Sequence, residues 1–444
     1  MPPFGILEKK IIIPRPQGHR NIIGHIQSRI EKALEPGALP VRFAITHMDR
    51  TNYNCELGTI NGLSPANDQI PDSIFCYAQR HFERTKEFNA VLIVPTGIGA
   101  EIGGHAGDAT PVARVLGENC DQLITHPNVV NASDINEMPD NAQYVEGSTI
   151  TRLIMGTAAL QCVRSNRVLM VIDNHPIKMF ANDTVNAISA AHATYGLDCP
   201  KVIQLNPPLN MKTVFMDSGR AAGEITGLER IRAIIAENQG TFDALGIASV
   251  IDVEDEYHEQ YFNSDGKMIN PWGGVEAMLT HALSLLHHIP TAHSPMLENL
   301  NTANFDLGVV EPRLAAEAIS LTFIQCMLKG LHRSPRIITI PEIIREPGLL
   351  SAADVSCLII PDKCLGLPTL AAMQQGIPVI AVRENNNLMR NDLTELPWKP
   401  GQLHIVENYW EAVGVMSALR SGIAPKSLRR PLATTHVEVK NMDP

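Results

Sequence analysis

The sequence predicts an α/β fold made of two or three Rossmann-like parallel-sheet layers with crossover helices. Three observations lead there. A chain of 444 residues is longer than one ordinary core accommodates, because domains hold about 100–200 residues each. Apolar residues make up 44% and charged residues 19%, a balance that fills a buried interior and excludes a disordered or collagen-like chain. Short β-branched runs recur, each closed by glycine or proline and followed by a longer stretch of helical period, which is the pattern of parallel strands joined by crossover helices.

In chain order the strand-like runs fall at 10–14, 41–46, 90–95, 122–125, 168–173, 201–205, 247–253, 336–340, 357–361, 378–382 and 404–406. Helical period covers 21–34, 73–85, 148–162, 184–194, 219–238, 274–288, 312–331, 367–375 and 409–419. Polar stretches broken by proline and glycine at 206–210, 263–272 and 288–304 read as linkers or active-site loops. Boundaries near 165 and 335 divide the chain into an N-terminal α/β domain with a glycine-rich anion loop (1–165), a middle α/β segment (166–335), a C-terminal Rossmann-like segment (336–425) and a tail (426–444).

Charge excludes one class of partner. Thirty-six Lys and Arg against 47 Asp and Glu give a net charge of -11, and the densest basic run is only Lys426-Ser-Leu-Arg-Arg430. Without a basic stripe, nucleic acid is not an expected partner. The N-terminus lacks the basic-then-apolar order of a signal peptide, and no apolar stretch approaches the ~18 residues that span a bilayer. No membrane role is expected. Cysteines 55, 76, 120, 162, 199, 326, 357 and 364 include no C-x-x-C pair, which predicts free thiols in a reducing, cytoplasmic setting. The expected partner is a small-molecule substrate, and a homo-oligomer is compatible with the sequence.

The densest chemical signal is the run Val91 to Asp108, a strand leading into a loop with glycines at 97, 99, 103, 104 and 107. Glycine lets the backbone take positive φ and bring N–H groups to an anion, so Thr96, Gly97, Gly99, Gly103 and Gly104 are candidate substrate contacts. The spacing fits neither the dinucleotide fingerprint nor the P-loop. His105 and Asp108 lie in the same loop, and later strand ends add His126, Asn128, Asn131, Glu146, Asp173 and His175. In open α/β sheets ligands bind beyond the carboxyl ends of strands, so these groups are expected to converge on one crevice. Three histidines and two aspartates also suit Zn, Mn or Fe, but no H-x-H or H-x-x-x-H spacing marks a site, so a divalent metal is admitted and the cofactor stays undetermined.

Further candidates lie elsewhere. Cys364, beside Lys363 and ahead of a predicted helix start, is expected to have a lowered pKa and to serve as nucleophile or acid/base. His287 and His288 close an amphipathic helix, where cations complement the dipole, while His293 sits in a proline-bounded loop. The segment 46–56 offers Asp49, Arg50, Cys55 and Glu56, with Arg50 a carboxylate clamp, and Glu311 and Arg313 flank a helix start.

Residues 350–381, with the turn Cys364-Leu-Gly-Leu-Pro-Thr-Leu and the strand Gly376-Ile-Pro-Val-Ile-Ala381, resemble the C-terminal Rossmann half of GT-B glycosyltransferases. The resemblance implies a nucleotide-sugar site, yet the two acidic positions of that family fall here on Lys363 and Ala371, so its sugar recognition does not carry over. The glycine loop, Thr125–Asn131, Tyr144–Gly147 and the Cys364 turn together resemble a mainly bacterial family catalogued as domain of unknown function 3326, over about residues 40–420. That likeness implies no activity or cofactor. The residues themselves lead to the expectation of an enzyme on a small anionic metabolite, hydrolysing an amide-like bond with Cys364, His105, His126 and Asp173, with lyase or isomerase chemistry as variants. A nucleotide-sugar transferase or epimerase and a non-catalytic metabolite-binding protein are the rivals.

Overall fold

A computed structural model describes residues 4–16, 21–63, 70–344 and 346–440. The chain opens with three long antiparallel strands, β1 (Gly5–Pro14), β2 (Leu39–Met48) and β3 (Asn52–Asn61), with helix α1 (Ile22–Ala33) between the first two. Asn21 caps α1 by accepting the Gly24 N–H, and Ile22, Ile23, Ile26 and Ile30 bury its apolar face at helical spacing.

Next come β4 (Asn89–Leu92), α2 (Thr110–Gly117), β5 (Gln122–Thr125), α3 (Pro127–Val130), β6 (Ala142–Tyr144) and α4 (Gly147–Met155). A long middle region follows: β7 (Ala159–Gln161), β8 (Arg167–Asp173), α5 (Lys178–Tyr195), β9 (Asp198–Leu205), β10 (Asn210–Phe215), β11 (Ala221–Thr226), α6 (Leu228–Glu237), β12 (Ala244–Asp252), α7 (Asp255–Phe262), α8 (Gly273–His287), β13 (Thr291–Met296), α9 (Leu300–Ala303), α10 (Ala315–Ala318), α11 (Gln325–His332) and β14 (Arg336–Ile338). The chain ends with β15 (Val355–Pro361), β16 (Leu365–Gly366), α12 (Leu367–Gln375), β17 (Val379–Val382), β18 (Leu403–Val406) and α13 (Tyr409–Arg420).

Two sheets organise these elements. The first is wholly parallel, in the order β6-β5-β4-β15-β17-β18. Counted along the chain this is 3-2-1-4-5-6, the doubly wound order whose switch point lies between β4 and β15. Its central strands are buried on both faces, with Ala90–Leu92, Cys357–Ile359 and Val379–Val382 all solvent-inaccessible, which is why they read as continuous apolar runs. The second sheet is mixed, in the order β16-β2-β3-β1-β11-β10-β12-β8-β9, with β13 paired to β12. A two-stranded ribbon joins β14 to β7.

This connectivity differs from the linear division at 165 and 335. The parallel sheet takes three strands from before the first boundary and three from after the second, and the mixed sheet recruits β1–β3 from the N-terminus. The middle region is thus an insertion in the crossover from β6 to β15. Four predicted helices also differ. The span 148–162 ends as a helix at Met155, where Gly156 at positive φ stops it, and continues as β7. Residues 73–85 are irregular, because Arg80 donates to the carbonyls of Gln375 and Val355 and its N–H is taken by the Gln375 side chain, so tertiary hydrogen bonds replace a helical ladder. Residues 221–226 form β11, bounded by Gly219 and Gly227 at positive φ, and the helix starts only at 228. The span 312–331 breaks into α10 and α11.

A buried charge quartet stitches four adjacent strands of the mixed sheet. Arg220, next to β11 and 1% exposed, pairs with Glu8 of β1 and at 2.6 Å with Glu56 of β3, while Arg42 of β2 lies 3.5 Å from Glu8. Burial lowers Arg220 to about 9 and Arg42 to about 10, so both stay charged at neutral pH. Glu56 also accepts from the Ser218 hydroxyl at 2.6 Å; it is a structural partner, not the substrate contact expected of it. Removing Arg220 leaves Glu56 buried without its ion-pair partner and Glu8 with Arg42 alone, a situation that typically costs about 3–5 kcal/mol. Arg220→Ala should therefore lower stability by that amount in chemical denaturation, and a loss below about 1 kcal/mol would contradict the assignment.

Candidate functional site

A cleft opens at the switch point, where the chain leaves β4 and β15. Thr96, His126, Gly147 and His281 line it and also line an adjoining cavity. These four residues form the wall the two spaces share. One wall comes from the parallel sheet through the β4 loop and the start of α4, and the other from α8, which presents Glu276, Ala277, Thr280 and His281 along one face.

At the junction Glu146 meets His281. The Glu146 carboxylate is 4% exposed and caps α4, accepting the N–H groups of Ser148 at 3.0 Å and Thr149 at 3.1 Å as well as the Ser148 hydroxyl. Its Oε1 also contacts His281 Nδ1. Burial alone would raise Glu146, but the imidazole and the Ser148 hydrogen bonds outweigh it and hold the carboxyl near 2. The carboxylate stands against Nδ1 and orients the ring, leaving Nε2 as the nitrogen turned from Glu146. The absent side chain of Gly147 makes room beside that ring, since a Cβ would sit 3.2 Å from His281 Cε1.

His126 supplies the complementary group. Its Nε2 accepts the Val94 N–H at 3.1 Å, and burial lowers it to about 4, so at neutral pH the ring is uncharged and carries its proton on Nδ1. Thr96 Oγ1 is buried without a hydrogen-bond partner among the described residues. The amino end of α12, with Gly366 as its N-cap and no side-chain cap, also borders the cleft. Base, donor and helix dipole thus surround one space.

The expected convergence of His105, His126 and Asp173 does not occur. His105 is tied to the Tyr261 hydroxyl at 2.7 Å and the Gly266 carbonyl at 3.3 Å. Asp173, raised by burial to about 6, accepts the backbone N–H groups of Leu209 and Val250 and buttresses the mixed sheet. His175 accepts the Ile177 N–H in a local turn. Cys364 does line the cleft, but it is 4% exposed, burial and the Asp362 charge push its thiol well up, and it precedes α12 by a short strand instead of heading it. The activated-thiol expectation is therefore corrected.

The glycine loop also works differently from an anion cradle. Gly97, at φ 74°, has no space for a Cβ because the Ala221 carbonyl oxygen would lie 2.4 Å away, and Gly104 faces the Ala100 oxygen at 2.0 Å. Loop N–H groups are spent internally: Gly103 donates to Asp108, Ala106 to Glu317 and Ile102 to Asn385. Gly97 and Gly104 do border the second cavity, whereas Gly99 packs against Ile269 and Gly103 would clash with Val94. Asn128 holds the loop by donating to the carbonyls of Val94 and Gly103, and Asn131 donates to the Tyr144 hydroxyl and borders the same cavity. Arg50 is exposed at the β2–β3 hairpin, and Glu311 and Arg313 pair with each other at 3.0 Å beside Glu101. Burial lowers His287 and His288 to about 4, so they are not the helix-end cations expected. Among the described residues no three His, Cys, Asp or Glu side chains group as metal ligands.

His281, Glu276, Arg42 and Asn270 are the wall residues that sequence reasoning missed. The signal was present: in Gly273–His287, Glu276 and His281 are polar residues inside an otherwise mostly apolar helix, and charge placed in a helix destined for burial needs a partner. His293 was anticipated, but its role is supportive. Its Nδ1 binds Glu276 at 2.9 Å and its Nε2 binds the buried Ser249 hydroxyl at 2.7 Å, so both nitrogens are occupied and the Glu276 carboxylate is the group left facing the cavity.

Two carboxyls nearby are strained by burial. Asp108 and Glu317 are each raised to about 7. A folded value above the unfolded one means stability from Glu317 is full below about 4.5 and is lost as pH rises through about 7. The upper bound on that loss is about 3 kcal/mol at 1.36 kcal/mol per unit. Glu317→Gln keeps the oxygen that accepts from Ala106 and Asn270, so the melting temperature of the variant should gain on wild type steadily between pH 5 and 8. A constant difference across that range would show that Glu317 is not desolvated.

Comparison with known proteins fits this geometry to one group. The family described as protein of unknown function DUF3326 matches residues 89–429. An uncharacterised lipoprotein of Synechococcus sp. is 32% identical over 345 residues, covering 77% of this chain and 94% of that protein. No solved structure matches significantly. No helix among the described residues is long and apolar enough to cross a membrane. The match starts at β4 and runs past α13, so it spans the whole parallel sheet, the inserted region and the Glu146–His281 pair: the chain belongs to the DUF3326 family.

Proposed function

We propose that the protein is an enzyme that binds a small anionic metabolite in the switch-point cleft and moves a proton with His281, oriented by Glu146. The observation that carries this reading is His281, paired with Glu146, standing in the wall shared by both cavities. In the reaction proposed, hydrolysis of an amide-like bond, His281 Nε2 takes a proton from water as the water attacks the carbonyl carbon. Negative charge then grows on the carbonyl oxygen. His126 Nδ1–H and the uncapped start of α12 are suited to stabilise that oxygen, and the protonated His281 returns the proton to the departing nitrogen. Cys364 has no part in it.

Two further observations bear on setting and on rivals. All eight cysteines are free, which supports a reducing, cytoplasmic location, although the Synechococcus relative carries the word lipoprotein in its name. The 3-2-1-4-5-6 strand order also suits nucleotides, and a nucleotide-sugar enzyme would be revealed by thermal stabilisation with UDP, GDP or ADP sugars.

Turnover of a panel of small carboxylate amides tests the proposal. His281→Asn and Glu146→Gln should each reduce kcat at least about 100-fold, the range expected for a lost general base or its orienting partner, with KM changed little. Equal rates in wild type and both variants would refute it.

A further inference from the structure

Beyond the switch-point cleft lies a third cavity, next to the second along Ala106, Asn131, Asn270, Glu276 and His293, which border both. Its chemistry is the reverse of the first. The carboxylates of Glu276, Glu298 and Glu317 line it together with the rings of Trp272, Phe262 and Phe323. No lysine or arginine among the described residues does so, whereas Arg42 and Arg220 border the switch-point cleft. Carboxylates interleaved with aromatic faces attract cations, both by charge and through the ring quadrupole.

Two buried atoms narrow the ligand further. Ser133 is 5% exposed and its hydroxyl has no hydrogen-bond partner among the described residues. Asn131 spends its amide nitrogen on the Tyr144 hydroxyl, and its Oδ1 is likewise unpartnered. Both residues line this cavity. An orphaned carbonyl oxygen requires an N–H or O–H donor, and unmade buried hydrogen bonds are expensive. A quaternary ammonium would leave them unmade. A primary ammonium, with three N–H donors, can satisfy both.

We infer that this cavity is the subsite for a primary ammonium group, so that the substrate is an anion that also carries an amine. The inference rests on the reading of the switch-point cleft as the site of the anionic end. The two ends are then sorted by opposite surroundings, with the His281–Glu146 pair between them. Glu276 holds the border of the second and third cavities, fixed from behind by His293 and Ser249. Glu317, kept neutral in part by burial at pH 7, would release its proton when the cation arrives.

Calorimetric titration of the full chain with butylammonium chloride, against the uncharged isostere 1-butanol at equal chloride, tests this. Butylammonium should bind at least tenfold more tightly than 1-butanol, release protons at pH 7, and weaken at least fivefold in Glu276→Gln and in Glu317→Gln. Its affinity should be unchanged in His281→Asn, which keeps this result separate from the fate of the proton-transfer reading. Equal binding of alcohol and ammonium by the wild-type protein, a comparison that needs no variant to fold, would overturn the inference. Unchanged ammonium affinity in both glutamine variants would do the same.

Discussion

The contact between the Glu146 carboxylate and the His281 imidazole joins the two halves of the molecule. Glu146 closes β6 of the parallel sheet and caps α4; His281 lies in α8, which packs against β11 and β13 of the mixed sheet. A carboxylate this deeply buried is costly unless every lone pair is used. Here backbone N–H groups, a hydroxyl and an imidazole all converge on it. Arg152 reinforces the same seam, donating to the Ser284 carbonyl at 3.1 Å and lying 3.2 Å from His288. The pair is a structural clasp, and its His281 lines both cavities.

The insertion between β6 and β15 gives the two sheets separate tasks. The parallel sheet supplies strand ends, the Val94 amide that fixes the His126 tautomer and two helix starts. The inserted region supplies α8, with its acid and its base, and β13, whose His293 aligns Glu276. The glycine loop serves as the joint. Gly97 accepts the Ala221 N–H at 2.9 Å, and Gly273, at the start of α8, leaves only 2.9 Å between a Cβ and Thr96 Oγ1. Side chains at these positions would force the halves apart, so glycine is needed for close approach of one chain segment to another.

Much of the architecture was legible in the sequence because it follows from burial. β4, β15 and β17 are enclosed on both faces and so read as unbroken apolar runs, and helices such as α1, α12 and α13 carry plain caps or periodicity. The insertion was not legible, since which strands pair is decided by contacts far apart in sequence. Of the site, Glu146, His126, Thr96 and Asn131 were found because polar residues at strand ends are informative in this class of fold. His281 escaped because a histidine inside an apolar helix looks like core. His105 and Asp173 misled for the opposite reason: both stand at strand or loop ends, yet their hydrogen bonds go to Tyr261 and to backbone amides. Cys364 showed the same limit, as its neighbours in sequence did not disclose that it is buried.

Whether Glu146 and His281 act as one coupled unit across the seam is read from a double-mutant cycle. The stabilities of Glu146→Gln, His281→Asn and the double variant would be compared with wild type by chemical denaturation. Buried partners in direct contact couple by about 0.5–3 kcal/mol, and the account places this pair in the upper half of that range. Additive losses, agreeing within about 0.3 kcal/mol, would mean that the two groups do not sense each other and that the clasp does not exist.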